Sequence, residues 1–231
     1  MPRGQVDAPV AVLIPAYNCA TTIADVVTGA RRYVDPVLVV DDGSADATAE
    51  RASAAGAEVL RQPVNTGKGA ALQAGMQRLA ARGVQRVVTM DGDGQHLADQ
   101  LPALLDASAR EPHALIIGAR QVDASQVTPI RLFGNRFANR WVKIACGLAL
   151  PDTQSGFRVY PMPETLALGA ASGHFAFETE VLIRAARSGL VLRSVPVHAY
   201  YPPPEERVSH FRPFVDTLRI IAVVLRLIAF G

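Results

Sequence analysis

The sequence predicts an α/β fold: a single Rossmann-like domain on a mostly parallel central sheet, with an amphipathic helix at its C-terminal end. Three observations predict it. Short, apolar, β-branched runs alternate with alanine-rich stretches of helical length through the first half, the pattern of a doubly wound parallel sheet. The 231 residues are 49% hydrophobic and 19% charged, enough for one sizeable core. Acidic or basic loops at 41–44, 65–69 and 91–96 leave or border expected strand ends, and ligands of such sheets sit beyond those carboxyl ends.

Val10 to Ile14 is an apolar run stopped by Pro15 and reads as a buried first strand. A helix is expected from about Thr21, whose hydroxyl is a suitable N-cap. Pro36 precedes Val37 to Val40, a second buried strand that runs into Asp41-Asp42-Gly43-Ser44. Ala45 to Ala55 reads as helix and Glu58 to Leu60 as a third strand. Asn65-Thr66-Gly67-Lys68-Gly69 opens another helix, to about Ala81. A fourth strand ends at Val88 and leads into Thr89-Met90-Asp91-Gly92-Asp93-Gly94-Gln95-His96. A helix over about Ala98 to Ala109 and a fifth strand from Ala114 to Ile117 complete the first half.

The second half changes character. Arg131 to Gly147 reads as a helix with Leu132, Phe133, Phe137, Trp141, Ile144 and Ala145 on its apolar side. Leu150 to Tyr160 reads as a loop, followed by a helix around Phe177 to Ser188 and a strand from Val191 to Val197. Tyr200 to Glu206 is a proline-rich connection. The expected division is one domain over residues 1–205 and an appended helix over 206–231. That helix is strongly apolar from Ile220 to Phe230, yet shorter than the ~20 residues of a spanning helix. Arg212, Asp216, Arg219 and Arg226 fall within about 80° of one another around it. Such a helix either packs on its own domain or a second copy, or lies in a lipid interface with its arginines toward headgroups.

The net charge of +2 makes no case for a nucleic-acid partner. Cys19 and Cys146 stand far apart without a CxxC or Cys/His spacing and read as reduced thiols of a cytoplasmic protein. The first nine residues lack an apolar signal core.

The chemistry concentrates at Asp91-Gly92-Asp93-Gly94. Two carboxylates one residue apart after a strand can face one small cation, and hard oxygen donors suit Mg²⁺ or Mn²⁺ shared with substrate phosphates. The bland alternative is a polar turn. A calcium loop fails, because its sixth position is His96 rather than glycine and its twelfth is Pro102 rather than glutamate. His96 itself is a structural hydrogen-bonder or a ligand. Gly67-Lys68-Gly69 is no Walker A motif, since position 62 is Gln62, but leaves a lysine near the pocket or in a surface turn. Asp41 or Asp42 can accept from a base N–H or a ribose hydroxyl; Ser44 or Asp46 can serve as a helix cap. Arg120, Arg131, Arg158 and Arg212 are either solvated arginines or a receptor for an anionic acceptor.

Taken together, Ile14-Pro15-Ala16-Tyr17-Asn18, Val40-Asp41-Asp42-Gly43-Ser44, Asn65-Thr66-Gly67-Lys68-Gly69, Asp91-Gly92-Asp93-Gly94-Gln95-His96 and Ser155-Gly156-Phe157-Arg158 resemble a family 2 glycosyltransferase of the GT-A fold. The likeness spans residue 10 to about 215 and is greatest to the dolichol-phosphate mannose synthase and polyprenyl-phosphate glycosyltransferase branch. It implies that Pro15, Tyr17, Asn18, Asp41 or Asp42, Lys68 and Asp91 hold the nucleotide, and that Asp91, Asp93 and Gln95 hold the metal. It implies too that Arg120, Arg131, Arg158 and Arg212 receive an acceptor phosphate. One position departs: where that branch often has glutamate after Tyr-Asn, this chain has Cys19.

The expected reaction is inverting transfer of a sugar from a nucleotide diphosphate-sugar to a polyprenyl phosphate or another membrane lipid. The protein would be cytoplasmic and peripheral on the membrane, and a homo-oligomer is compatible with this. An ionised lipid phosphate needs no strong base, whereas a hydroxyl acceptor needs one, and Asp152 is then the candidate. The rival readings are a nucleotidyltransferase and a non-catalytic sugar-nucleotide binder.

Overall fold

Residues 9–121, 139–200 and 213–230 are described in the computed structural model of the chain. Arg131, Arg212, the proline-rich stretch from residue 201 and the expected boundary at 205/206 lie outside them.

Chain order is β1 (Val10–Ala16), α1 (Ile23–Arg31), β2 (Val37–Asp41), α2 (Thr48–Ala54), β3 (Glu58–Arg61), α3 (Lys68–Ala80), β4 (Arg86–Thr89), α4 (Leu101–Arg110) and β5 (Leu115–Arg120). After these come α5 (139–146), β6 (Arg158–Pro161), α6 (Met162–Ala167), α7 (Ala176–Arg187), β7 (Leu192–Val197) and α8 (Pro213–Phe230). The seven strands form one sheet in the order β3-β2-β1-β4-β6-β5-β7. Pairing is parallel except around β6, which runs antiparallel to both β4 and β5.

The first half follows its sequence pattern because both faces of the sheet are covered. Successive residues of β1 point to opposite faces. Val12, Ile14 and Ala16 join one core with α1 and α4, while Ala11 and Leu13 join the other with α3 and α7. The central strands β1 and β2 are therefore near-continuous apolar runs, not alternating.

Four expectations change. Residues 158–161, read as loop, form β6: Val159 faces one core and Tyr160 the other, although Arg158 gives the run a charged start. Helix α6 has no counterpart in the sequence reading. The residue flanking α1 is Thr22, not Thr21; it makes no side-chain cap and its hydroxyl instead donates to the Gly92 carbonyl at 2.6 Å. In α5 the buried residues are Val142 and Ala145, and Ile144 is exposed.

Helix α8 packs along α7. Ile220, Val224 and Leu227 share a small core with Val142, Ala145, Ala176 and Ile183. The polar stripe expected to face headgroups is divided: Asp216 is buried and pairs with Arg219 at 3.0 Å, and Arg226 reaches Glu180 of α7 at 3.3 Å. The outer face carries exposed Val215, Leu218, Leu225 and Ile228. Among the described residues no helix is long and apolar enough to cross a membrane.

Candidate active site

The site lies along the carboxyl ends of β2, β1 and β4, where three loops meet. Beyond β1, Asn18 clips two of them: its backbone N–H donates to Ser44 Oγ and its Oδ1 accepts from the Ala45 N–H, both at 2.9 Å. Pro15 ends the same strand beside Gly92, and Tyr17 is half-buried.

At the end of β2 both acids are buried. Asp42 Oδ1 accepts from the N–H and hydroxyl of Thr66 at 2.9 Å, and its Oδ2 accepts from the Gly67 N–H at 2.7 Å. The Asp42 carboxylate thus fastens the loop that starts α3. Asp41 Oδ1 accepts from the Ser44 N–H at 3.0 Å. Its Oδ2 lies 3.3 Å from Arg61 Nε, an ion pair without hydrogen-bond alignment.

At the end of β4 the arrangement differs. Asp93 receives the backbone N–H of Gln95 on Oδ1 at 3.0 Å and the Gln95 side-chain amide on Oδ2 at 2.7 Å. Gln95, expected as a metal ligand, here grips its neighbour's carboxylate. Asp91 Oδ1 is 2.7 Å from Lys68 Nζ, and the ammonium also meets Glu178 Oε2 of α7 at 3.0 Å. Lys68 additionally lies 5.5 Å from the centre of the Phe175 ring. Gly156 leaves this ion pair its room: a Cβ there would stand 2.7 Å from Lys68 Nζ and 2.9 Å from the Asp91 carboxylate, and the pair would have to shift.

The charges follow from this packing. Burial opposes ionisation of Asp91, but Lys68, His96 and Arg120 outweigh it and hold the acid at about 2. Burial and the charge of Asp91 push Asp93 up to about 6, against the Gln95 hydrogen bond, Lys68 and Arg120. Burial also favours neutral Lys68, yet Asp91 and Glu178 raise it above the usual lysine range. His96 is pulled down to about 4, chiefly by burial. Its Nδ1 accepts from the Asp91 N–H at 3.0 Å and its ring stacks on Phe157. His96 is therefore a neutral brace of the loop. Cys19 packs against Gly92, and burial lifts its thiol to about 12, so it is no nucleophile.

The second-half residues divide. Arg120 and Asp152 form a forked pair, with Nε to Oδ2 at 2.7 Å and Nη2 to Oδ1 at 3.0 Å. Against the effect of burial, Arg120 holds Asp152 below the usual carboxylate range, which ill suits it to remove a proton from a hydroxyl. Arg158, expected at an acceptor phosphate, is wholly buried. Its guanidinium donates to the carbonyls of Ser155, Glu178 and Thr153 at 2.8, 2.8 and 2.9 Å. It braces the 153–156 loop against α7, and that replaces the phosphate-binding role. Glu178 was not singled out from the sequence, where it reads as one helical position beside a second acid, Glu180.

Hard carboxylate oxygens, and an acid whose pKa is raised by burial and by its neighbour's charge, fit a divalent cation at Asp91 and Asp93, which would relieve their repulsion. Among the described residues no third carboxylate, histidine or thiol joins them, leaving room for substrate oxygens and water.

Compared with known proteins, the chain matches the model of Glycosyl transferase family 2 over residues 11–167. A protein named glycosyltransferase AglJ of Haloferax volcanii is 34% identical over 210 residues, covering 90% of this chain and 68% of that one. The undecaprenyl-phosphate mannosyltransferase of Micrococcus luteus is 32% identical over 202 residues, 81% of this chain and 82% of that one. A crystal structure of glucosyl-3-phosphoglycerate synthase from Mycobacterium tuberculosis, in complex with Mn²⁺, uridine diphosphate and phosphoglyceric acid, superposes with a TM-score of 0.75. It covers 97% of this chain and 80% of that one at 24% identity, a likeness of fold.

Proposed function

The chain belongs to glycosyl transferase family 2, and from that premise we propose that it moves a sugar from a nucleotide diphosphate-sugar to a polyprenyl phosphate, with inversion and with Mg²⁺ or Mn²⁺. The observation that carries this reading is the Asp91/Asp93 pair: two acids just past a strand end, burial and the charge of one raising the pKa of the other, with Lys68 on Asp91 as adjoining cation. The Mn²⁺ and nucleotide of the similar synthase support the donor half, and the named substrate of the Micrococcus relative supports the acceptor half.

Asp91 and Asp93 would hold the ion, which when bound neutralises charge developing on the departing diphosphate. Lys68 adds a fixed positive charge beside the same diphosphate. The nucleoside lies toward β2, where an open depression of about 330 Å³ is lined by Gly43, Ser44, Arg61, Gln62 and Pro63. Pro15 and Tyr17, at the end of the neighbouring strand β1 and just beyond it, would complete the nucleotide side. Asp42 and Asn18 act by holding the loops, and Asp41, buried and paired with Arg61, sets the charge at the β2 end of the depression. An ionised acceptor phosphate attacks without a general base, which agrees with an Asp152 locked onto Arg120. Arg120, with Arg131 and Arg212 from outside the described residues, would form the acceptor side. The exposed apolar face of α8 would bring the enzyme to its lipid substrate as a peripheral protein of the cytoplasmic membrane face.

The test is a donor screen with Mn²⁺ and polyprenyl phosphate in vesicles. Acceptor-dependent release of nucleoside diphosphate is the expected result. Release of pyrophosphate would make the protein a nucleotidyltransferase, and donor binding without turnover would make it a sugar-nucleotide binder.

A further inference from the structure

In this structure Lys68 occupies a place that the metal reading assigns to a divalent ion. Its ammonium lies 2.7 Å from Asp91 Oδ1, a distance at which a charge-assisted hydrogen bond is fully made. The same ammonium is 3.0 Å from Glu178 Oε2. Both lysine and glutamate are largely shielded from water, with side-chain exposures of 14% and 8%. Glu178 Oε1 is buried and has no hydrogen-bond partner. A buried carboxylate oxygen left empty beside an ammonium is unusual, because such atoms are normally satisfied.

These facts fit together as two positions for one cation. A divalent ion arriving at Asp91 meets an ammonium already on one oxygen of that carboxylate, and the two cations repel each other. An ammonium without a carboxylate in so closed a place is costly, so the lysine must keep a partner. Glu178 offers one: its Oε2 already touches the ammonium and its Oε1 is without a hydrogen-bond partner, so Lys68 can leave Asp91 and still keep a carboxylate. Gly156 keeps the space beside Nζ clear of side chain. We propose that Lys68 is the resident cation of Asp91 before metal binds, and that Glu178 is the positioning residue onto which it is handed when the ion arrives. This rests on the metal reading above and adds an order of events to it. After the handover Lys68 still presents its charge to the donor diphosphate, and Asp91 is free to join Asp93.

The prediction concerns metal alone, measured as Mn²⁺ binding by electron paramagnetic resonance in the absence of nucleotide. Lys68→Gln removes the competitor, so affinity should rise by a factor on the order of ten, since a unit charge at this range in a half-buried site is worth at least that much. Glu178→Gln leaves the lysine nowhere to go, and affinity should fall several-fold. In the Lys68→Gln background the same Glu178→Gln change should be nearly silent, because Glu178 acts through the lysine. Should the amide variant not fold, Glu178→Asp keeps the charge but draws it back from Lys68, and it should weaken Mn²⁺ binding in the same direction. Weaker binding by Lys68→Gln would overturn the proposal. So would a Glu178 effect of equal size with and without Lys68, which would mean that the acid acts by its own charge. Binding by neither wild type nor Lys68→Gln would remove the metal reading itself, and the handover with it.

Discussion

Asp41-Asp42 follow β2 and Asp91/Asp93 follow β4, the two strands that flank β1. In sequence the pairs look alike: acids at the end of a buried strand, followed by glycine. Their surroundings are opposite. Asp42 is surrounded by N–H and hydroxyl donors of one loop, and Asp41 has Ser44 and Arg61. Asp91 is paired with the Lys68 ammonium and held at about 2, whereas burial and the charge of Asp91 push Asp93 to about 6. A carboxylate whose lone pairs are filled by the backbone is a fastening. One whose charge is opposed by another carboxylate is a place where something else binds.

The largest effect that would break this comparison is on turnover. Asp93→Asn should lower sugar transfer by about a thousand-fold, the scale of losing a main electrostatic contribution to the transition state. It should do so without loss of fold. The folded chain holds a proton on Asp93 up to about pH 6 that the unfolded chain releases near 4. Ionisation of Asp93 therefore subtracts from stability as pH rises through that window. At pH 7.5 in metal-free buffer the asparagine variant should melt no lower than wild type. A marked drop in its melting temperature would make Asp93 a fastening after all.

For the other pair the expected loss is in stability. Asp42→Ala leaves the Gly67 and Thr66 N–H groups without acceptors, which should cost about 2–4 kcal/mol. Denaturant unfolding checks the magnitude. Mn²⁺ affinity of the folded variant should stay within about two-fold of wild type, because Asp42 has no part in the metal site. Loss of metal binding with unchanged stability would reverse the roles of the two pairs.

The difference between the pairs could not be read from the chain. The apolar runs of β1, β2 and β4 are continuous, so their existence and their carboxyl ends were legible, and so was the convergence of three loops on one edge. What each acid meets is set by loops distant in sequence: Gly67 lies 25 residues from Asp42, and Glu178 reaches Lys68 from α7. Strand β6 was illegible for a related reason. Arg158 looks like a surface residue until Ser155, Thr153 and Glu178 supply carbonyls for its buried guanidinium. The same fact removes it from the acceptor site, where the family resemblance had placed it. For α8 the pattern showed an amphipathic helix but not its orientation: Asp216 turned inward, and the apolar residues shared between core and surface.

The smallest effect is the one that reads the raised pKa of Asp93, the product of its burial and of the charge of Asp91. A divalent ion competes with the proton on Asp93, so Mn²⁺ affinity should fall as pH drops through about 6. Between pH 7 and pH 5 the loss should approach about ten-fold, one proton displaced per ion. Asp91, held at about 2, stays ionised throughout, and His96, at about 4, stays neutral. Neither adds to the slope. Asp42→Ala should give a curve parallel to wild type, whereas Asp93→Asn should bind weakly and with no slope in this range. Electron paramagnetic resonance of free Mn²⁺ across the three proteins separates the cases. A flat wild-type curve would mean that neither burial nor Asp91 raises Asp93, and that the acid pair after β4 is no more poised for a cation than the pair after β2.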